Sequence, residues 1–322
     1  MNGPRKTYSG KDVAIIIPTK DRPGKIRNLL NSLADQTTLC GRVIVVDGGY
    51  SVKGVVTEFV DKLPVEHYMC EPPGQIRQRN MGKNLLDERT FLIGSIDDDI
   101  VLEQDALEKM IDFWNHTDIN TAGVGFNGIH LSVSNYSNMF SRLLTRRLTR
   151  RRIPGRVLSC GINASIENVS SDIRTQWLGG GFTVWKREIL KEFPQDDLRT
   201  RWAAGEDLRF SYPIGKKYPL YVCAGAKIYH EHTYDQAPKG VVYVYQGRKQ
   251  SLAVFYFVGL HKELSRVKCL LMLLRSFTGN FVFGCAAFNL PLILFSFGRM
   301  QGIFICLKSL FGYADLRKEL ED

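Results

Sequence analysis

The side chains best suited to chemistry lie in Ser95-Ile96-Asp97-Asp98-Asp99-Ile100-Val101-Leu102. Three consecutive carboxylates repel one another, so a cation, or a metal ion that also holds phosphate, gives them a reason to share a site. They follow the apolar run Phe91-Leu92-Ile93-Gly94, which predicts a buried strand. Acids at a rigid strand end suit Mg²⁺ or Mn²⁺, which bind through one or two carboxylates plus substrate phosphates. The competing reading is a solvated acidic turn entering a helix over 103–114, with Asp105 favoured by the helix dipole. Glu206 and Asp207 follow Gly205, and either could take a proton from a hydroxyl as a bond forms. The alternative for that pair is a helix start favoured by the macrodipole. His230 and His232 share a face if they lie in a strand, and imidazole is an acceptable extra ligand for Mn²⁺. Histidines near strand ends also serve structure alone.

Elements that would position these groups can be read along the chain. Val13-Ala14-Ile15-Ile16-Ile17 is a short apolar run suited to a strand covered on both faces, and Pro18-Thr19-Lys20-Asp21-Arg22-Pro23-Gly24 ends it. Ile26, Leu29, Leu30 and Leu33 then recur at helical spacing. Strands are predicted at 42–46, 65–69 and 91–95, with helices over 52–63 and 75–86. This alternation predicts an α/β fold with a mostly parallel sheet flanked by helices. Ligands of such sheets sit beyond the carboxyl ends of the strands. Lys20 and Asp21, Asp47, and Asp97 to Asp99 all fall there. Neither G-x-x-x-x-G-K-[ST] nor an early G-x-G-x-x-G is present, so a nucleotide must be held by side chains and a metal instead of a glycine cradle.

The ordered set Ile-Ile-Ile-Pro-Thr-Lys-Asp-Arg (15–22), Val-Val-Asp-Gly-Gly (45–49), Arg79-Asn80-Met81-Gly82 and Asp97-Asp98-Asp99 resembles the nucleotide-sugar half of a family 2 glycosyltransferase with the GT-A fold. Gly179-Gly180-Gly181-Phe182 resembles that family's acceptor-side glycine segment, Gly205-Glu206-Asp207 its Glu-Asp motif, and Tyr229-His230-Glu231-His232 its late histidine. The match spans about residues 12 to 235 in the family's order. The resemblance implies an inverting transfer from a nucleotide-sugar donor to a hydroxyl acceptor with Mn²⁺ or Mg²⁺. It implies donor contacts from Pro18, Thr19, Asp21, Arg22, Asp47, Arg79, Asp97, Asp98, Gly180 and Gly181. Asp99, Asp97, His230 and His232 become candidate metal ligands, with the register of the three acids open by one position and Asp98 in play. Asp207 is the candidate base, with Glu206 its competitor. Arg77 and Lys83 could face the diphosphate beside Arg79, or belong to a solvated basic helix. Trp185 and Trp202 are either sugar platforms or buried aromatics.

With 43 Lys+Arg against 33 Asp+Glu, the formal charge of +10 favours an anionic partner. Seven scattered cysteines without a C-x-x-C pair, and a polar N-terminal stretch, point to a reducing, cytoplasmic setting. The basic segment 142–156 interleaves Leu with Arg, as suits an anionic membrane surface or an acidic acceptor; it lacks the aromatic interleaving of a nucleic-acid site. Beyond about residue 251 the chain is rich in Leu, Phe and Ile, and 276–298 is free of charge. That stretch is long enough to cross a bilayer, but Asn280, Gly284, Asn289 and Pro291 interrupt it, so the region reads as amphipathic or re-entrant helices in a membrane interface in preference to a full span, or as helices packed on the catalytic domain. The expected organisation is a GT-A domain over 1–250, divided near residue 100 into nucleotide-sugar and acceptor halves, then a membrane-associating region over 251–322. Peripheral attachment to the cytoplasmic membrane face and a glycan or lipid-linked acceptor go with it. A catalytically silent membrane- or scaffold-binding module and a nucleotidyltransferase are the rivals. Donor sugar, base and oligomeric state are not legible.

Overall fold

The computed structural model of the chain describes residues 6–50, 52–129, 153–197, 204–230 and 240–321. His232, Trp202 and the run 142–152 lie outside the described residues.

The apolar runs become β1 (Val13–Thr19), β2 (Arg42–Asp47), β3 (Val65–Met69) and β4 (Leu92–Ile96). They pair in parallel in the order β3-β2-β1-β4. Every residue of β1 is buried, because helices cover both sheet faces. Ile15 and Ile17 pack with Ile26, Leu29, Leu30 and Leu33 of α1 (Pro23–Ala34) on one face. Ala14 and Ile16 point to the other face, towards Ile44, Val46 and Leu86. A side-chain period of two therefore splits one strand between two cores.

The helix predicted over 52–63 is only α2 (Lys53–Thr57). Val52, Val55, Val56 and Thr57 are β-branched, and the chain continues in turns towards Pro64. Next come α3 (Gln75–Asn84), β5 (Ile100–Leu102) and α4 (Ala106–His116). Asp105 is the residue before α4 and pairs with Lys109 one turn on.

The remaining strands are β6 (Gly123–Ile129), β7 (Ile173–Thr175), β8 (Phe182–Lys186) and β9 (Leu220–His230). They extend the described sheet to nine strands in the order β3-β2-β1-β4-β8-β6-β9-β5, with β7 on β9. The parallel core is thus joined by antiparallel pairings through β8, β5 and β7. Where the β6–β9 register shifts after Phe126, the buried Asn127 amide fills the irregularity, donating to the carbonyls of Val169 and Ala224. Helices α5 (Arg187–Glu192) and α6 (Glu206–Lys217) complete this part.

The described residues fall into two compact units. The first holds 6–50, 52–129, 165–197 and 207–230, and with them the sheet. The second holds 153–164, 204–206 and 240–321. In the second, α7 (Gly240–Gly259), α8 (Arg266–Ala286) and α9 (Leu290–Leu310) are followed by the short α10 (Leu316–Glu321). The charge-free stretch 276–298 is not one helix: it breaks between α8 and α9. Asn289 accepts the Leu292 amide at 3.0 Å, and Pro291 sits in the first turn of α9 where its missing N–H does no harm. Helices α7 and α9 touch backbone to backbone, because a Cβ on Gly298 would lie 1.9 Å from the Val244 carbonyl oxygen. Much of the apolar surface of α8 and α9 stays uncovered within this unit: Val267, Leu271, Val282, Phe297 and Phe304 are exposed, and Phe288 between the helices is 94% exposed. Each of the two helices is long and apolar enough to cross a membrane.

Candidate active site

The site lies within the first unit, at the carboxyl ends of β1, β2 and β4 and the edge of β9. Its geometry begins with Gln78 on α3, which is buried and donates to the carbonyls of both Thr19 and Val46 at 2.7 Å. One side chain thereby fixes two strand ends where the ladder between them stops. Beyond Thr19, Asp21 adopts a left-handed backbone (φ 54°) and accepts the Tyr50 amide at 3.3 Å. The Tyr50 hydroxyl donates to Glu71, beside the cis peptide bond Glu71–Pro72. Asp47 is 0% exposed; it accepts the Gly49 amide at 2.8 Å and meets His67 Nε2 at 3.3 Å. Asp21 and Asp47 thus converge on the loop Gly48-Gly49-Tyr50.

The three consecutive acids have three different surroundings. Asp98 is buried at 5% exposure and turned towards β1, accepting from Thr19 Oγ1 at 2.7 Å and from Arg22 Nη1 at 3.0 Å. Burial holds its carboxyl above the usual range, partly opposed by those two donors. Asp98 therefore braces Thr19 and Arg22, and Pro18 just before them is paired in β1 with Val46 of β2.

Asp97 and Asp99 find other partners, because the three acids form the turn between β4 and β5, closed by the Ile100 amide donating to the Asp97 carbonyl at 3.2 Å. Asp99 Oδ1 lies 3.0 Å from His230 Nε2, and its other oxygen is 3.8 Å from Arg22. Burial acts to raise the Asp99 carboxyl, but the His230 hydrogen bond and charge outweigh it, and the net shift is downward. Burial likewise opposes His230, whose pKa the same pair raises. The contact is set by the sheet, because Ile100 of β5 pairs with His230 of β9. Asp97 Oδ1 accepts from Arg79 Nη2 at 2.7 Å and from Gln75 Nε2 at 3.1 Å. Arg79 is itself only 3% exposed. An ion pair so enclosed is strongly disturbed when one partner is removed, by about 3–5 kcal/mol.

Two glycines join these acids to the candidate base. The Asp97 amide donates to the Gly181 carbonyl at 2.8 Å, and a Cβ on Gly181 would stand 2.1 Å from Asp97 Oδ2. The neighbouring Gly180 amide donates to Asp207 Oδ1 at 2.8 Å. Burial raises the Asp207 carboxyl; the Arg79 charge opposes this and the Asp97 charge adds to it. Glu206 is also buried and opens α6 one residue earlier. Gly181→Ala is expected to keep the fold but displace Asp97, lowering turnover by about 10²-fold, the scale of a 1 Å misplacement. Turnover measured beside the circular dichroism spectrum checks this.

Other sequence-based expectations separate here. Arg77 is engaged by Asp197 at 2.8 Å and by the Pro72 carbonyl, so it braces the turn before α3 instead of facing the acids. Lys83 stands between two spaces, one lined also by Arg187 and Lys191 and one lined also by Arg79 and Gly180. Trp185 is buried edge-on against Phe210, which leaves no face for a sugar. His67, Gln75 and Gln78 were missed, although 67 and 69 alternate in a strand beside β2 and invite the question of what an inward histidine meets.

Among the described residues, no group of three or more His, Cys, Asp or Glu side chains forms a ready metal cage. Asp97, Asp99 and His230 nevertheless offer oxygen and imidazole donors on one rim, a set that suits Mn²⁺ when substrate phosphates complete the shell.

Comparison with known proteins bears on the fold and the broad activity. Residues 14–169 match the model of the family described as Glycosyl transferase family 2. No curated protein matches the chain. Among solved structures, S. aureus TarS 1-349 in complex with UDP-GlcNAc is similar at 17% identity, covering 96% of this chain and 90% of that one, with a TM-score of 0.52. The mannosyltransferase PcManGT from Pyrobaculum calidifontis, in complex with GDP-Man and Mn²⁺, is similar at 12% identity, covering 94% and 87%, with a TM-score of 0.54. The family match is confined to residues 14–169, and the chain is a glycosyltransferase of GT-A fold.

Proposed function

We propose that this glycosyltransferase moves a sugar from a nucleoside-diphosphate sugar to a hydroxyl acceptor, in one displacement that inverts the anomeric centre. The observation that carries the reading is the meeting of Asp97 and Asp207 across Gly180-Gly181, beside the Asp99–His230 pair. Bound UDP-GlcNAc and GDP-Man with Mn²⁺ in the similar structures support a nucleotide-sugar donor and a divalent ion.

In this reading Asp47 and Asp21 hold the nucleoside at the carboxyl ends of β1 and β2. Gly180 and Gly181, lacking side chains, let the donor sugar approach the backbone. Asp99 and Asp97, with His230, would hold the divalent ion, which supplies charge neutralisation on the departing phosphate. Arg79 keeps Asp97 aimed at that rim. Asp207 accepts the proton of the attacking hydroxyl; its raised pKa makes it a better acceptor than an ordinary carboxylate. Within the two-acid motif, Asp207 is preferred to Glu206 because its oxygen is fixed by the Gly180 amide.

The test is a screen of nucleotide sugars with Mn²⁺, read as protection against thermal unfolding and as release of nucleoside diphosphate. One donor is expected to protect only when the ion is present. Protection by none of them, with or without the ion, removes the enzyme reading.

The second unit is assigned to a membrane surface on the cytoplasmic side, with a lipid-linked glycan precursor as acceptor. Exposed Phe288, Leu271 and Phe304, together with the basic composition, support peripheral attachment to anionic lipid. Phe288→Asp is expected to weaken sedimentation with anionic vesicles about tenfold or more, since a buried Phe contributes roughly 2 kcal/mol. Its 94% exposure means the fold should tolerate the change. Undiminished sedimentation removes Phe288 from the contact.

A further inference from the structure

On the face of β4 covered by α3 and α5, a cavity of about 520 Å³ opens that the transfer reading does not use. Its walls carry Lys83, Arg187 and Lys191 with the amides Asn80 and Asn84, and no carboxylate lines it among the described residues. Among those residues none of the three cations has an ion-pair partner. Arg187 is held in the wall by donating to the Leu86 carbonyl at 3.4 Å, and Asn80 by donating to the Gln195 carbonyl at 3.0 Å. Three like charges facing one concave space repel, and an anion relieves that repulsion. The cavity also has a neighbour. Lys83, Ile93, Leu190 and Gln195 border a smaller inner pocket whose far side is Arg79 and Gly180. Lys83 follows Arg79 by one helical turn on α3, so the two cations are neighbours.

We propose that this cavity is a second anion site, distinct from the donor rim, that takes a molecule carrying phosphate groups and adjoins the acids through Arg79. This goes beyond the transfer reading and does not depend on it. Burial, with the nearby Arg79 charge, lowers Lys83 to about 8, as suits an ammonium waiting for a counter-charge. The phosphate could be free in solution or carried on a lipid.

The experiment is lysine acylation of the full chain near pH 8 in EDTA, read by mass spectrometry, with inorganic tripolyphosphate as the probe. Lys83 is expected to react faster than the exposed Lys53 and to be slowed at least tenfold by the probe. The double substitution Arg187→Met with Lys191→Met should remove most of that slowing, and Lys191→Gln alone, at an exposed position, should weaken it. A nucleoside diphosphate with Mn²⁺, supplied to EDTA-free protein, should leave Lys83 reactive. Decyl diphosphate separates the sources: protection at lower concentration than tripolyphosphate assigns a lipid-borne phosphate, and otherwise a free anion is assigned. Absence of slowing by either probe, slowing unchanged in both variants, or equal slowing by the nucleoside diphosphate overturns the proposal.

Discussion

Asp207→Asn should abolish transfer while making the chain more stable at neutral pH. Loss of a general base lowers a rate by about 10²- to 10⁴-fold. The amide oxygen of Asn can still accept from the Gly180 amide, so donor binding should survive. The stability gain follows from the sign of the pKa shift. Burial raises the folded carboxyl above its unfolded value of 3.8, so the folded chain binds the proton more tightly. The group's stabilising contribution is therefore complete below the unfolded value and disappears as pH rises through the folded one. At neutral pH, burying this carboxyl opposes folding, and Asn removes that opposition. Melting temperatures of the two proteins should diverge as pH rises and approach each other in acid. The same shift places the acid limb of the kcat/KM profile above the range of an ordinary aspartate. Full turnover in the variant would transfer the base role to Glu206.

The second large effect is expected from Asp99→Asn. Protection by nucleoside diphosphate and Mn²⁺, about 2.7 kcal/mol at a hundredfold excess over Kd, should vanish along with turnover. Asp98→Asn should behave differently. Its contacts with Thr19 and Arg22 brace β1, so lower stability with ion-dependent binding retained is the expected pattern. The Asp99–His230 pair also predicts a pH signature. Without the ion, the pair's stabilisation is lost as pH falls through the depressed Asp99 value and again as pH rises through the raised His230 value. An imidazole must lose its proton to ligate, so Mn²⁺ should bind more tightly as pH rises through the His230 value, releasing a proton. Calorimetry in two buffers of different ionisation heat measures that proton. An ion affinity indifferent to pH would remove His230 from the ligand set.

The parallel core was legible because Val13–Ile17 and 42–46 are too continuously apolar for a surface, and acids directly after such runs can only sit at the sheet's carboxyl edge. The break at 286–290 was legible in part: Asn289 and Pro291 were visible interruptions, but whether they ended a helix depended on the Asn289 cap. The division of labour among Asp97, Asp98 and Asp99 was not legible. The acids form a turn between β4 and β5, and composition does not say which of its side chains faces β1. Arg77 and Arg79 illustrate the same limit, since two residues apart on a helix they point differently, one to Asp197 and one to Asp97. The antiparallel entry of β8 and the meeting of β5 with β9 come from pairings remote in sequence, for which no local signal exists.

Gln78 and Arg79 are consecutive on α3, yet one grips the ends of two strands and the other grips Asp97. A small axial slide or rotation of that single helix would alter the spacing of the β1 and β2 ends and the aim of an acid in the same movement. The helix is thus a shared axle: the spacing of the β1 and β2 ends and the position of the Asp97 carboxyl move together.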